Sequence, residues 1–365
     1  MLLFLLACDP EPPDTGSGGE DTEETADSGG GETGDSGGRG PSEIASGPTC
    51  AGEPLPMETP FNVVVGHVVE GTATDTELAD LERLVVEWSP GVSGPWSHEV
   101  RGPYTVAADL SVTGGGTALV AASVGDVVQT DDGGFVMVYV DGDLDGMLTQ
   151  AHAREPFRTG LRGLGGLSAA TSEDGVVWTR TELTVDAPWP AYSVDPELTS
   201  RPGGGFAIYF FGVPPEELCA DVPDPFMVPG AHRMYRATSE DLLHWSGVKE
   251  VWSNPDGGTD PAVWCISEAS CYGWFRGGIS SSDGGETWSA SAAVLVDVEP
   301  MLPDVVQVGD GWRMFLLASE GIVSAWSEDG QRFESEGPLG LAAASPSAVV
   351  AGGTMGLYLS GPASP

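Results

Sequence analysis

The chain is poor in positive charge. Against 55 Asp and Glu it carries 14 Lys and Arg, a formal net charge of -41 over 365 residues. A field of that sign repels nucleic acid and anionic membranes and slows the approach of acidic sugars, which excludes nucleic acid as a partner. Cysteine is scarce as well: there are 5, with no Cys-x-x-Cys pair and no Cys/His cluster, and this argues against a structural zinc site. Long segments of 3.6-residue apolar period are missing, Asp75 to Leu84 being the one modest helix candidate. What remains is an all-β chain, long enough to bury a large core or one large domain with a small companion.

Repetition is what the chain has in quantity. One turn is written four times: SEDGVVW (Ser172 to Trp178), SEDLLHW (Ser239 to Trp245), SSDGGETW (Ser281 to Trp288) and SEDGQRF (Ser327 to Phe333). Ser and Asp start a turn by bonding their own backbone, Gly takes the left-handed position, and the terminal aromatic drops into an apolar layer. Upstream of each turn stands a hairpin, beginning at Asp126, Asp195, Thr259 and Pro303. Each has an Asp, a β-rich run, a Gly/Asp-rich turn and a second apolar-aromatic run. A repeat of roughly 40 to 70 residues with an inner and an outer hairpin is a four-stranded blade, so the expected fold is a β-propeller.

A fifth hairpin, SPSAVVAGGTMGLYLSG from Ser345, has no turn motif after it. Its outer strands must come from elsewhere, and PYTVAADLSV (Pro103 to Val112) and TALVAASVG (Thr117 to Gly125) are the candidates. Pairing the two chain ends would close the ring and remove exposed edges. The expected ring therefore has five blades and runs over 103–365. Two further strand-like runs, Phe61 to Gly71 and Leu81 to Pro90, place either a sixth blade or a small β-sandwich in 56–102.

The first eight residues, MLLFLLAC, end in Leu5-Leu6-Ala7-Cys8, which resembles the bacterial lipobox, where cleavage precedes a cysteine that then receives lipid. Residues 9–55 are rich in Gly, Ser, Thr, Asp and Glu, a composition that cannot bury a core. Together they imply an exported protein of the bacterial cell envelope, meeting the membrane through lipid on Cys8 alone. In an oxidising compartment Cys265 and Cys271, placed across one predicted hairpin, are a candidate disulfide. Cys50 and Cys219 are then a long-range pair or free thiols.

SSDGGETW resembles the Asp box of bacterial sialidases and related propellers, and SEDLLHW is similar to the turn of five-bladed glycosidases of the arabinanase, invertase and levansucrase type. The Asp-Pro strand starts at Asp195 and Asp260 resemble the latter enzymes too. The resemblance spans about Asp126 to Gly361 and implies a glycoside hydrolase of a neutral polysaccharide, with carbohydrate as partner. In a propeller the first strand of each blade lines the channel, so Asp126, Asp195, Asp260 and Asp304 are expected at equivalent places around one mouth. Mutual repulsion there would raise some of their pKa values, as a general acid requires. By the resemblance, Asp126 would be base or nucleophile and Asp195 would orient it. The acid, a Glu in those enzymes, would fall to Asp260 or, out of register, to Glu299. The competing expectation is structural, because an Asp at a strand start commonly bonds backbone N–H groups.

Three further features bear on function. DGDLDG places Asp141, Asp143 and Asp145 at a spacing that can wrap calcium around a turn, although His152 stands where a bidentate Glu is expected; a solvated acidic turn competes. Trp264, Trp274 and Trp312 lie in predicted inner hairpins, where they would stack on sugar rings or fill the core, and Trp189 and Tyr192 lie nearby. Sialidase-like chemistry needs several Arg around a carboxylate, for which Arg158 and Arg233 are weak echoes. A non-catalytic propeller that binds a surface glycan or a protein is the rival class to the hydrolase.

Overall fold

The computed structural model describes residues 98–120, 122–141, 167–181, 183–186, 191–213, 233–253, 260–275, 277–298 and 301–362. The chain enters with β1 (His98–Val106), β2 (Val112–Gly114) and β3 (Thr117–Val120). The first blade is β4 (Ala122–Gln129), β5 (Phe135–Asp141), β6 (Leu167–Ser172) and β7 (Thr179–Thr181), followed by the short β8 (Thr184–Val185). The second is β9 (Ala191–Ser200), β10 (Phe206–Val213), β11 (Arg233–Ser239) and β12 (His244–Ser253). The third is β13 (Ala262–Cys265), β14 (Cys271–Trp274), β15 (Gly278–Ser281) and β16 (Ser289–Ala290), followed by β17 (Leu295–Val296). The fourth is β18 (Met301–Val308), β19 (Gly311–Ala318), β20 (Gly321–Ser327) and β21 (Arg332–Pro338), and the chain ends on β22 (Ala344–Ala351) and β23 (Thr354–Pro362).

The fifth blade is composite. Its strand order is β2-β1-β23-β22, with β3 also on β1, so the C-terminal hairpin receives its outer strands from the start of the ring. Val100 pairs with Ser360 and Val106 with Met355 across that seam. The fold is thus an all-β propeller of five blades closed by N-terminal strands. Two details differ from the sequence reading. The closing strand begins at His98, and Thr117 to Gly125 is divided, its first part edging the fifth blade while Ala122 onward opens the first. The strand-like runs at Phe61 to Gly71 and Leu81 to Pro90 lie outside the described residues.

Adjacent blades pack face to face, so the core is divided into inter-blade layers. Val138, Ile208 and Trp245 fill the layer between first and second blades, and Tyr209, Val263 and Trp288 the next. Trp264, Met314 and Phe333 follow, then Phe315, Leu339 and Leu357, and finally Val100, Met137 and Tyr358 at the seam. The four repeated turns hold their aromatics in these layers. In the first, Ser172 Oγ accepts the Gly175 amide at 2.9 Å, Asp174 Oδ1 accepts the Val176 and Val177 amides at 2.8 and 3.0 Å, and Trp178 Nε1 donates to the Gly175 carbonyl at 3.0 Å. In the second turn Leu242 replaces Gly at the left-handed position, with φ 67°. Cys265 and Cys271 face each other across β13 and β14 and are joined, with Cα atoms 4.0 Å apart.

Closure of the ring rests on the fully buried Val100 of β1. Val100→Asp places an unpaired charge in the seam and is expected to destabilise the whole propeller by about 3 kcal/mol or more. Urea unfolding followed by tryptophan fluorescence checks this: one cooperative transition at lower urea is expected, whereas an unchanged main transition would show that the seam does not hold the ring.

Candidate functional site at the propeller axis

Four innermost strands carry the same local structure in or just before their first half. Asp195-Pro196-Glu197, Asp260-Pro261-Ala262, Leu302-Pro303-Asp304 and Ser345-Pro346-Ser347 each place a non-glycine residue in the left-handed region, with φ of 51°, 65°, 48° and 42° in that order. Proline disfavours the right-handed helical conformation in the residue before it, and the left-handed one costs roughly 1–2 kcal/mol outside glycine. In the first, second, fourth and fifth blades the ladder shifts register at this step, a bulge that re-aims the side chains. The first blade has Val124-Gly125-Asp126 instead of the proline form. A Cβ on Gly125 would stand 2.1 Å from the Pro196 ring, so the residue is glycine because the neighbouring blade comes this close.

This register corrects one expectation. Asp126, Asp195, Asp260 and Asp304 are not equivalent. Asp126 and Asp304 occupy the third place of the repeat, together with Glu197, Ala262 and Ser347; Asp195 and Asp260 occupy the first, with Leu302 and Ser345. The one-letter pattern D-P misled because the second blade carries two acids, Asp195 and Glu197, on either side of its proline. The aspartates alone do not point to Glu197, whereas the prolines, set in register, bring it to the place of Asp126 and Asp304.

The third-place side chains tie the blades together. Asp126 Oδ2 accepts the Leu198 amide of the second blade at 2.8 Å, and Glu197 Oε1 accepts the Val263 amide of the third at 3.0 Å. Asp304 Oδ2 accepts the Ala348 amide of the fifth. Ser347 closes the circuit, its Oγ accepting the Val127 amide at 2.9 Å and donating to Asp126 Oδ1 at 2.7 Å. Ala262 has no oxygen to offer, and at that step the Val305 amide turns to the carboxylate of Asp304.

Asp126, Glu197 and Asp304 are each 4% exposed and offer oxygens that lie within 4.8 Å of one another. Three such carboxylates cannot all be charged unless a cation sits among them; otherwise at least one holds a proton. Burial, then the charge of Asp304, pushes Asp126 well above the usual carboxylate range; burial, then Asp126 and Asp304, does the same to Glu197. Burial pushes Asp304 up to about 7.

The first-place residues look outward instead. Asp195, Asp260, Leu302 and Ser345, with the prolines and Glu197, line a cavity of about 30 Å³ at the mouth, room for one or two waters. Oδ2 of Asp195 is buried there and accepts no hydrogen bond among the described residues. Trp264, expected as a sugar platform, is 1% exposed and donates its Nε1 to the Gly330 carbonyl at 2.8 Å. Trp274 and Trp312 pack in the same layer between third and fourth blades, so all three belong to the core. Arg233 lies on the third strand of its blade, paired with Glu250 at 3.1 Å, and lines no mouth. Glu299, Asp143, Asp145, Cys8, Cys50, Cys219, Trp189 and Arg158 lie outside the described residues, and Asp141 ends β5.

No family model and no curated protein matches the chain. Solved structures similar to it include the family 117 glycoside hydrolase Zg3597 of Zobellia galactanivorans, 12% identical over 66% of this chain and 85% of that one, with a TM-score of 0.43. A GH43_1 enzyme of Xanthomonas citri complexed with xylose is 14% identical over 78% and 87%, with a TM-score of 0.40. A fructofuranosidase of Schwanniomyces occidentalis complexed with fructose is 12% identical over 64% and 51%, with a TM-score of 0.44. Likeness at this level carries no activity, substrate or site residue over to this chain.

The axial carboxyls and the turn carboxylates act on stability with opposite sign. A carboxyl raised from 3.8 to about 7, as in Asp304, favours folding in its protonated form; its contribution is full below about pH 4 and is lost as pH rises to 7, on the order of 4 kcal/mol. The turn residues are held down. Against slight burial, the His244 amide and ring and the Leu243 amide hold Asp241 at about 2, and the Val177 and Val176 amides lower Asp174. Their contribution is present above about pH 4 and is lost toward pH 2. Thermal stability in chelating buffer is therefore expected to peak near pH 4–5 and to fall toward pH 8. Glu197→Gln keeps an acceptor for Val263 and removes a charge, so it should raise the melting temperature at pH 8 and flatten the slope. A wild-type optimum at pH 8 would contradict the assignment.

Proposed function

We propose that this chain is a carbohydrate-binding propeller of the bacterial cell envelope, lipid-anchored at Cys8, that holds a neutral glycan at its Asp195/Asp260 mouth without hydrolysing it. The observation that carries this reading is the use of the axial carboxyls. Asp126, the residue that resemblance would make base or nucleophile, is buried and spends both oxygens on Leu198, Val127 and Ser347. Glycoside hydrolysis needs two carboxyl groups reaching a scissile bond from opposite sides. Asp126 and Asp304 reach amides of the next blade instead. The mouth keeps Asp195 and, at the equivalent place in the neighbouring blade, Asp260, both partly exposed carboxyls that suit sugar hydroxyls as donors. The anionic field supports a neutral ligand over an acidic one, and with it the exclusion of nucleic acid and of sialidase-like chemistry.

A hydrolase of neutral polysaccharide is the second reading. It is favoured by the same pair, Asp195 and Asp260, held on strained left-handed backbone of the kind that gathers at functional sites. A panel of aryl-glycosides and polysaccharides separates the two. The binding reading expects no turnover above that of Asp195→Asn, together with retention on a neutral polysaccharide in affinity electrophoresis that Asp195→Asn weakens about tenfold or more. Turnover abolished by Asp195→Asn would replace binding with hydrolysis, and retention unaffected by that change would remove the mouth from the account.

A further inference from the structure

The repeated turns fill the outer part of each inter-blade layer, leaning on the blade before their own. The Gly175 carbonyl accepts the Tyr358 hydroxyl at 2.6 Å, that of Gly285 accepts Tyr209 at 3.4 Å, and that of Gly330 accepts Trp264. Their terminal rings meet the same partners edge to face, Trp178 on Tyr358, Trp288 on Tyr209 and Phe333 on Trp264. The fifth blade has a turn at the same place, between β1 and β2, but a worn one. Leu110 has φ 65° where Leu242 has 67°, and Asp109 Oδ1 accepts the Ser111 amide at 3.1 Å as Asp241 accepts that of Leu243 at 3.0 Å. Counting from the aspartate, Ala107 stands where the other four turns have Ser, and Thr113 where the first, second and fourth have the aromatic.

Facing this worn turn, the fourth blade is altered. Two residues before the partner of its third-place acid, it pairs Arg313 with Trp326, where the second blade pairs Ala207 with Thr238 and the first Val136 with Thr171. Arg313 lies over the Trp326 ring, 5.4 Å from its centre, and is gripped by Glu336 through two bonds of 2.9 and 2.8 Å. Glu336 also accepts the Ser324 hydroxyl at 2.6 Å. A cavity of about 520 Å³ remains between the two blades, lined by Arg313, Trp326, Glu336, Thr105, Ala108 and Thr354 among others. It opens at the far ends of the inner strands, beside Val308 and the β22–β23 turn, away from the proline mouth.

The chemistry of the groove selects its ligand. Arg313 and Glu336 neutralise each other, so the groove is locally neutral on a chain of net charge -41. An anion would have to displace Glu336 and a cation would have to displace Arg313. A purely apolar ligand would leave the ion pair and the two threonine hydroxyls without new partners on desolvation. A ring with one apolar face and a rim of hydroxyls suits a half-buried indole beside a fixed donor–acceptor pair, and the volume is in the range of small-ligand sites. We propose that this groove is a second saccharide site, taking a mono- or disaccharide unit of a neutral glycan. It rests on the carbohydrate-binding reading above but on residues separate from the mouth.

The test is 19F NMR of the full chain labelled with 5-fluorotryptophan, Trp326 being assigned through Trp326→Phe, with cellobiose, xylobiose and maltose as probes. The expected result is a saturable shift of the Trp326 resonance with at least one disaccharide. Ala108→Trp, which fills the groove, should weaken that response about tenfold or more, and Asp195→Asn should leave it unchanged. A Trp326 signal that stays still while other resonances move overturns the groove and leaves the mouth reading standing. A Trp326 shift that vanishes in Asp195→Asn likewise overturns the groove, since the signal then comes from the mouth. A spectrum in which nothing moves overturns both.

Discussion

Five sheets that meet on an axis leave their innermost strands without a partner on the inner side. β4, β9, β13, β18 and β22 each stand at the end of a sheet order, so amides along their inner edges lack a ladder. A buried backbone N–H without an acceptor costs free energy comparable to a lost hydrogen bond. Here the acceptors are side chains at the third place of each strand-opening repeat: Asp126 for Leu198, Glu197 for Val263, Asp304 for Ala348 and Ser347 for Val127. The remainder of the architecture depends on this circuit. It runs where the blades come closest, the closeness that makes position 125 glycine beside Pro196.

The same solution has an electrostatic cost. Three of the four acceptors are carboxyls, gathered within 4.8 Å in a buried centre, and burial raises each of them. Groups with raised pKa commonly mark catalytic sites, yet here each is committed to an amide of the adjoining blade. The two proposed binding places, the first-place residues at the mouth and the groove between the fourth and fifth blades, lie off this circuit. One is built on strained backbone facing a small cavity, the other on a worn turn whose lost aromatic leaves the layer open. The mouth uses the X-Pro step that four blades share, whereas the groove lies where the fifth blade departs from the repeat.

Much of the ring was legible in the sequence because its signals are local. Ser, Asp and a terminal aromatic within seven or eight residues make a turn wherever they stand, and five hairpins with four turns require strands from the other chain end. Which aspartates meet is not legible in their spacing. The spacing of Asp126, Asp195, Asp260 and Asp304 treats them alike, whereas Asp195 and Asp260 stand before the proline of their strand and Asp126 and Asp304 at the third place, two residues further on. Glu197 went unseen for the same reason. The fate of Trp264 turns on a tertiary bond to Gly330, which composition cannot reveal, and the pairing of Arg313 with Glu336 depends on a β20–β21 register that no short motif encodes.

The central claim is that the axial carboxyls hold the ring together and carry no chemistry on a ligand. It is tested most directly by 13C NMR titration of the Asp and Glu carboxyls in the folded chain, with and without a bound neutral oligosaccharide. The account predicts that Asp304 titrates near 7, that Asp126 and Glu197 titrate well above the ordinary carboxylate range, and that none of the three responds to saccharide. Ordinary titration of all three near 4, or a saccharide-dependent change in Asp126, would contradict it.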